Sequence, residues 1–266
     1  MSEQSGTGAE RAYEQSMAVQ VRGLAKRFGP VQAVTGVDLD VRRGSTFGLV
    51  GPNGAGKTTT LAMITGLLRP DAGGARVDGI DVWEQPLLVR TRMGVLPEGL
   101  RLFERLSGPE LLTFTGRLRG MPDDAVAQRS AELLRVLGLS DAGHQLVVDY
   151  STGMRKKIAL AAALLHNPAV LFLDEPFEAV DPVSAHTIRE VLRAFTSRGG
   201  TVVFSSHVME LVERLCDDVA VIARGQVLAW GPVDTVRGEQ SLEEFFVGLV
   251  GGQPRGGAEL GWLGTW

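Results

Sequence analysis

The chain has 266 residues, of which 44% are hydrophobic and 22% charged, so it can bury a large core and is not a wholly disordered protein. Its 27 basic and 31 acidic residues leave a net charge of −4, and no nucleic-acid partner is expected. Cys216 is the single cysteine, which excludes an intrachain disulfide and favours a reducing compartment.

The N-terminal segment is predicted to be a disordered tail. Residues 1–16 are rich in Ser, Gly, Glu and Gln and lack the apolar region of a signal peptide. The most apolar stretch, residues 158–173, is interrupted by His166, Asn167 and Pro168 and is too short to cross a bilayer as one helix. We therefore expect that the chain does not cross a membrane by itself, although it can dock onto a protein that does.

Apolar and polar residues alternate at strand spacing in the next part of the chain. Residues 18–29 and 33–41 are predicted to form an antiparallel pair. The short apolar run at 45–51 predicts a buried strand, which leads into a glycine-rich loop and then a helix over 58–68. Two further strands are predicted, at 75–82 and 93–97.

Helical spacing dominates residues 99–165, where Ser107 and Glu110 form the pattern of a capping box. Strands and helices alternate again from residue 169. The predicted elements there are strands at 169–174 and 201–207, helices at 183–197 and 208–216, a hairpin at 218–230 and a short helix at 241–250. This alternation predicts an α/β fold with a mainly parallel sheet, into which the helical stretch is inserted.

The glycine-rich loop after strand 45–51 carries the first functional motif. Residues 51–58, GPNGAGKT, match GxxxxGK[ST], the P-loop. Its glycines let successive backbone N–H groups surround phosphate oxygens, and the helix start adds unpaired N–H groups. In this pattern Lys57 contacts the β- and γ-phosphates and the Thr58 hydroxyl binds Mg²⁺. A purely structural turn is the alternative, and the strand–loop–helix context argues against it.

Two later strands end in residues suited to hydrolysis. The segment VLFLDEP, 170–176, ends in Asp174, which can reach a metal, and Glu175, which can polarise an attacking water. The strand TVVFSSH ends in His207, which can contact the γ-phosphate from the same sheet edge. Read alone, the first motif is explained equally well by an acidic loop, and a lone histidine at a strand end is usually structural. Together with the P-loop they predict a nucleotide-hydrolysis site.

A small-residue helix start is predicted around residue 151. Ser151, Thr152 and Gly153 precede three basic residues, at 155–157, although the whole chain has only four lysines. A solvated basic turn on a capped helix is one interpretation. A second anion-binding helix start is the other.

These motifs, in this order, resemble the nucleotide-binding subunit of an ATP-binding cassette (ABC) transporter over about residues 18–250. The resemblance implies that Phe28 stacks on adenine and that Glu98 occupies the Q-loop, beside the metal. It assigns the Walker A loop and its ATP contacts to Gly51, Pro52, Asn53, Gly54, Ala55, Gly56, Lys57, Thr58 and Thr59.

The resemblance also covers the second half of the chain. YSTGM, residues 150–154, occupies the position of the LSGGQ signature, with Ser151, Thr152 and Gly153 as its ATP contacts. It places the Walker B aspartate, a metal ligand, at Asp174 and the catalytic glutamate at Glu175. It places the D-loop acid at Asp181 and the switch histidine at His207.

The family's mechanism implies the cofactors and partners. ATP and Mg²⁺ would bind between two head-to-tail cassettes, either two copies of this chain or this chain and a homologous one. Hydrolysis would drive an integral membrane transporter subunit. The chain would then be cytoplasmic and peripheral on the inner face of the cell membrane. The implied domains are a tail over 1–16, an ABC ATPase domain over 17–240 with its helical insertion at about 99–165, and a short helix with a flexible tail over 241–266.

The sequence departs from the family pattern at several positions. In the signature, Thr152 replaces the first glycine of the pair and Met154 replaces the glutamine. Glu98 replaces the Q-loop glutamine, and Phe177 stands where threonine is usual. Such variants resemble the subfamily of drug, antibiotic and ABC-2-type exporters. A soluble single-cassette ATPase acting on a macromolecular assembly is the alternative function. A P-loop kinase or GTPase is disfavoured by the signature and by the lack of an NKxD-type motif.

Overall fold

The computed structural model of the chain describes residues 8–99 and 102–250. Its helices and strands are α1 (Gly8–Ser16), β1 (Met17–Phe28), β2 (Val31–Arg42), β3 (Thr46–Val50), α2 (Lys57–Ile64), β4 (Ala72–Val77), β5 (Ile80–Asp81), α3 (Pro86–Arg92), β6 (Met93–Leu96), α4 (Gly108–Leu118), α5 (Asp123–Val136), α6 (Thr152–Leu164), β7 (Val170–Leu173), α7 (Pro182–Thr196), β8 (Thr201–Ser206), α8 (Met209–Leu215), β9 (Asp218–Ala223), β10 (Gln226–Pro232), α9 (Val233–Arg237) and α10 (Leu242–Val250).

A six-stranded sheet forms the centre of the protein, in the order β10-β9-β3-β8-β7-β6. Strands β6, β7, β8, β3 and β9 are parallel, and only β10 runs antiparallel, as the partner of β9 in the predicted hairpin. Helices cover both faces of such a sheet, which explains why β7 and β8 are wholly buried and why β7 is apolar at every position. The predicted α/β fold with a mainly parallel sheet is confirmed.

The carboxyl ends of three neighbouring strands meet at one edge of this sheet. The central strand β3 ends at Val50, before the glycine-rich loop, and lies beside β8, which in turn lies beside β7. Strand β7 ends before Asp174 and β8 before His207. The three motifs that are far apart in sequence are therefore adjacent, as expected for ligand sites in open α/β sheets.

A second, antiparallel sheet has the order β2-β1-β4-β5. The long strands β1 and β2 pair from Met17 with Arg42 to Phe28 with Val31, which confirms the predicted antiparallel pair. Their alternation buries one face, on which Val21, Leu24 and Val34 are inaccessible to solvent.

The tip of the β9–β10 hairpin joins the two sheets at the glycine-rich loop. Gly225 donates its N–H to the carbonyl of Ala55 (2.9 Å) and accepts from the Thr35 N–H (2.7 Å). Gly225 has φ +76°, and a Cβ there would lie 2.6 Å from the Ala33 carbonyl oxygen. Only glycine fits this turn without displacing either the loop or β2.

The predicted helical insertion is formed by α4, α5 and α6. Helix α4 begins with the predicted capping box: the Glu110 N–H donates to Ser107 Oγ, and Glu110 Oε2 accepts from the Ser107 N–H (2.8 Å). Helices α4 and α5 approach closely at Gly116, where a Cβ would meet Val126 at 2.4 Å. The side chains of Leu112 and Leu137 are fully buried in the core that these helices share with the central sheet.

The N-terminal segment differs from the expected disordered tail. Residues 8–16 form helix α1, and Tyr13 at its centre donates a hydrogen bond to Asp40 of β2 (2.9 Å). Sequence composition could not reveal this contact, because Asp40 lies in a different element. Residues 1–7 and the predicted tail at 251–266 lie outside the described residues, and the division of the chain into domains stays a prediction.

Helix α2 ends at Ile64, earlier than the predicted residue 68, because the chain turns at Gly66 with φ +71°. None of the helices within residues 8–99 and 102–250 has the length and apolar character needed to span a bilayer.

Candidate active site

The loop at residues 51–56 packs too closely against its neighbours for larger residues at two positions. A Cβ on Gly51 would lie 2.1 Å from the Ile222 carbonyl oxygen, and one on Gly56 would lie 2.6 Å from that of Ala33. Gly56 also has φ +105°, immediately before helix α2 begins at Lys57. The strand, loop and helix therefore have the arrangement that presents backbone N–H groups to a phosphate.

Lys57 is buried beneath this loop. Its Nζ donates to the carbonyls of Gly51 (2.8 Å) and Pro52 (3.2 Å) and lies 3.5 Å from Oε1 of Glu175. The ammonium group is thus oriented by the loop and directed toward the strand that carries Glu175.

Glu175 connects Lys57 with the histidine at the end of β8. Its Oε1 faces Lys57, and its Oε2 lies 3.1 Å from Nδ1 of His207. Glu175 and Lys57 are buried and His207 is exposed, so the carboxylate connects a buried ammonium group with a histidine at the surface. The three side chains predicted from separate motifs form one contiguous group.

Asp174 is fixed by the two strands beside it. Its N–H donates to the Leu96 carbonyl at the end of β6 (2.8 Å), and its Oδ1 accepts from the Ser205 hydroxyl on β8. Burial raises the pKa of Asp174, and the hydrogen bond from Ser205 partly offsets that effect.

Glu98 and Thr58 are in direct contact at the mouth of the site. The Thr58 Oγ1 hydroxyl donates to Oε2 of Glu98 over 3.1 Å. Asp174 adjoins the same hydroxyl and lines a small cavity of about 80 Å³ with Glu98 and Thr58. Two carboxylates and a hydroxyl are the hard oxygen donors that suit Mg²⁺, so the residues present fit that ion.

A cavity of about 310 Å³ opens over the loop. It contains the phosphate-loop backbone together with three carboxylates, and its lining residues are Ala33, Asn53, Gly54, Ala55, Gly56, Lys57, Thr58, Thr59, Glu98, Glu175 and Glu178. Phe28, the signature residues, Asp181 and His207 do not line it. Phe28 is half exposed, with the Lys26 ammonium 5.8 Å from its ring centre.

The signature residues adjoin the start of α7 instead. Ser151 caps α6 by accepting from the Met154 N–H (3.2 Å), and Ser151 and Thr152 are exposed. Gly153 is buried, and a Cβ there would lie 2.7 Å from Oδ2 of Asp181. Asp181 caps α7 through the Ser184 N–H (2.9 Å), and this hydrogen bond lowers the pKa of Asp181.

The interpretation of residues 155–157 as a solvated basic turn is wrong for the two lysines. Lys156 and Lys157 are both buried, and Lys156 Nζ donates to the Glu175 carbonyl over 2.6 Å. The sequence shows these lysines side by side but does not indicate that contact, nor the role of Ser205. The available signal for Ser205 is a pair of serines at the end of the buried strand TVVFSS.

Comparison with known proteins gives a consistent result. The family model described as ABC transporter matches residues 34–178. The daunorubicin/doxorubicin resistance ATP-binding protein DrrA of Streptomyces peucetius is 38% identical over 242 residues, covering 91% of this chain and 73% of that protein. The linearmycin resistance ATP-binding protein LnrL of Bacillus subtilis is 35% identical over 213 residues, covering 80% of this chain and 68% of that protein.

Among solved structures, the ATP binding subunit of an ABC transporter superposes with a TM-score of 0.81. It is 29% identical, and the match covers 88% of this chain and 99% of that chain. The similarity in sequence and the similarity in fold thus extend over most of the chain.

Proposed function

The chain belongs to the ABC transporter family and is an ATP-binding, ATP-hydrolysing subunit, and we propose that it powers export of a drug-like compound through a separate membrane subunit. The observation that carries the proposed chemistry is the group formed by Lys57, Glu175 and His207 beside the phosphate loop. The relatives DrrA and LnrL are named for resistance to daunorubicin, doxorubicin and linearmycin, which supports this substrate class.

We assign the hydrolytic step to Glu175. The oxygen of a water attacks the γ-phosphorus, the bond from that phosphorus to the bridging oxygen breaks, and Glu175 accepts the proton of the water. Lys57 neutralises phosphate charge, and its contact with Glu175 supports the assignment of both groups to one site. His207, 3.1 Å from Oε2, orients the carboxylate.

Asp174, Glu98 and Thr58 are the residues that would hold Mg²⁺ in this proposal. When bound, the ion neutralises charge on the β- and γ-phosphates during transfer. The contribution of the chain is to keep three oxygen donors together: Ser205 fixes Asp174, and Thr58 and Glu98 contact each other.

We infer that the signature completes the site of a second cassette. Ser151 and Thr152 are exposed at a capped helix start, which suits a phosphate, yet they do not line the cavity over the chain's own loop. A head-to-tail pair would bring this helix start to the phosphates of the partner. Phe28 would stack on the adenine, and Asp181, which touches the signature at Gly153, would adjoin the same interface.

The membrane subunit is a partner in this proposal, and the chain would act at the inner face of the membrane. A soluble cassette acting on a macromolecular assembly is not favoured, because the matching family model is described as ABC transporter and the similar solved structure is an ATP binding subunit of an ABC transporter.

Glu175→Gln tests the proposed chemistry. An amide cannot accept the proton, so turnover is expected to fall at least about a hundredfold while ATP affinity changes little. Glu178→Gln is the matched control, because Glu178 lines the same cavity three residues along. Turnover by Glu175→Gln equal to that of the control would refute the assignment.

Dilution tests the shared site. If each ATP lies between two cassettes, ATPase activity per chain must fall as the concentration decreases below the dimerisation constant. The Glu175→Gln variant is expected to accumulate as an ATP-bound dimer, detectable by light scattering. Activity per chain that stays constant on dilution would contradict the head-to-tail pair.

A further inference from the structure

The backbone of Glu175 has an unusual conformation. Its φ is +45°, in the left-handed region, which is unfavourable for a residue with a Cβ. The residue persists there because the surrounding structure holds it, as is common where a site needs a particular side-chain direction. The contacts that hold Glu175 are therefore part of what directs its carboxylate.

Two side chains hold this backbone from opposite sides. The Glu175 N–H donates to Ser205 Oγ on β8 (2.9 Å), and the Glu175 carbonyl accepts from Lys156 Nζ on α6 (2.6 Å). A longer contact from the Glu178 N–H, at 3.3 Å, reaches the same carbonyl. The short contact from Lys156 comes from a charged donor, which is the stronger kind of hydrogen bond.

Lys156 is buried, so its ammonium group is separated from solvent and depends on these neighbours. Burial lowers the pKa of Lys156, and four nearby carboxylates raise it by favouring the charged form. Those carboxylates are Glu98, Asp174, Glu175 and Glu178. A positive charge at this point thus offsets the repulsion among acidic groups that surround the reaction site.

We propose that Lys156 is a positioning residue for the catalytic carboxylate, holding the Glu175 backbone so that its side chain lies between Lys57 and His207. This inference rests on the proposed role of Glu175. It also links two parts of the chain: Lys156 lies one helical turn after Thr152, so the start of α6 reaches Glu175 through a single hydrogen bond. A shift of that helix start changes the geometry of the carboxylate.

The adjacent lysine provides a matched control. Lys157 is as buried as Lys156 and lies in the same helix, but its Nζ points toward Gly138. A Cβ added to Gly138 would lie 4.0 Å from that Nζ. Methionine at either position keeps the unbranched side chain, shorter by one atom, and removes the donor.

Steady-state ATPase kinetics of the purified full chain test the proposal. Lys156→Met is expected to lower kcat at least about tenfold with KM for ATP within about twofold, because substrate binding does not use the Glu175 carboxylate. Lys157→Met is expected to leave kcat within about twofold, and Lys156→Arg, which keeps a charged donor, to recover most of it. A kcat for Lys156→Met equal to that of Lys157→Met would overturn the proposal.

Folding is checked by ATP binding and Tm. If Lys156→Met binds no ATP, Lys156→Gln replaces it in the same comparison, since its shorter neutral amide also removes the charged donor. A fall in both kcat and ATP affinity, without recovery in Lys156→Arg, would mean a structural role and overturn positioning.

A double-mutant cycle separates this inference from the proposed function. In the Glu175→Gln background, Lys156→Met is expected to cause no further loss, because the carboxylate it positions is gone. Equal losses in both backgrounds would overturn the role of Lys156. Normal turnover by Glu175→Gln alone would instead refute the proposed catalytic residue.

Discussion

The Thr58 hydroxyl donates a hydrogen bond to Glu98 across 3.1 Å, which joins the end of the phosphate loop to the segment after β6. A carboxylate therefore lies directly beside the residue expected to hold Mg²⁺. Its negative charge attracts the cation and repels the γ-phosphate, and the two effects oppose each other.

Glu98→Gln should separate these two effects. With Mg²⁺ bound, the cation offsets the repulsion, so the affinity for Mg·ATP should change less than about twofold. Without metal, the glutamate adds uncompensated charge beside ATP, so the variant should bind metal-free ATP more tightly than the wild type. Nucleotide titrations in EDTA and in excess Mg²⁺ measure both affinities. Equal changes in the two conditions would show that Glu98 does not sense the metal.

Phe28→Ala should weaken the binding of ATP without affecting the contacts that the protein makes with the phosphates. Phe28 is half exposed at the end of β1, in the hairpin whose second strand brings Ala33 to the cavity. Loss of a base-stacking ring typically costs ~1–3 kcal/mol, so ATP affinity should fall at least about fivefold. Tripolyphosphate, which has no base, should bind as before in a competition assay. Phe103→Ala, which removes another exposed ring, is the control, and a matching loss of tripolyphosphate affinity would argue against stacking.

His207→Ala should lower turnover more than affinity. The Nδ1 atom of His207 contacts the Glu175 carboxylate and lies outside the lining of the phosphate cavity. Removing it leaves the carboxylate less well oriented, so kcat should fall by at least about tenfold with little change in ATP affinity. His186→Ala, an exposed histidine of α7, should behave as wild type. A larger effect on affinity than on kcat would contradict an orienting role.

His166 should make stability depend on pH. Burial, assisted by the charges of Arg119 and Arg129, lowers the pKa of His166 from 6.5 to about 4. The unfolded chain therefore binds a proton between about pH 6.5 and 4 that the folded chain does not bind, and the free energy of unfolding falls as pH decreases through that window.

Urea titrations at pH 7 and pH 5 measure this effect. His166→Gln removes the titrating group. Between pH 7 and pH 5 the free energy of unfolding of this variant should therefore fall by about 1–2 kcal/mol less than that of the wild type. This range allows for the partial exposure of His166, which weakens the effect of its pKa shift. His144→Gln, at an exposed position, is expected to keep the wild-type dependence. A His166→Gln variant with that same dependence would contradict the prediction.

The order of elements was predictable because it depends on local patterns. The period-2 alternation in β1 and β2, the capping box at Ser107 and the strand–loop–helix at Lys57 each lie within a few neighbouring residues. The adjacency of Asp174, His207 and the phosphate loop also followed from the rule that parallel strands share their carboxyl edge.

Contacts between distant segments were not predictable in this way. Lys156 and Lys157 are consecutive in sequence and equally buried, yet only Lys156 reaches Glu175, since successive helical residues point in directions about 100° apart. Tyr13 likewise orders α1 through Asp40, a residue that gives no local sign of such a partner. The roles assigned to the individual site residues remain predictions that the variants above can test.

The position of β3 in the central sheet has a consequence for synthesis of the chain. Both neighbours of β3 come from the C-terminal half: β8 begins at Thr201 and β9 ends at Ala223. A nascent chain that has reached residue 200 contains the whole phosphate loop, but the backbone groups of its strand have no partners on either side. The N-terminal sheet can form early, from neighbouring segments. The nucleotide site becomes ordered only after β8 and β9 have left the ribosome, so we expect that ATP does not stabilise ribosome-bound fragments ending before β9.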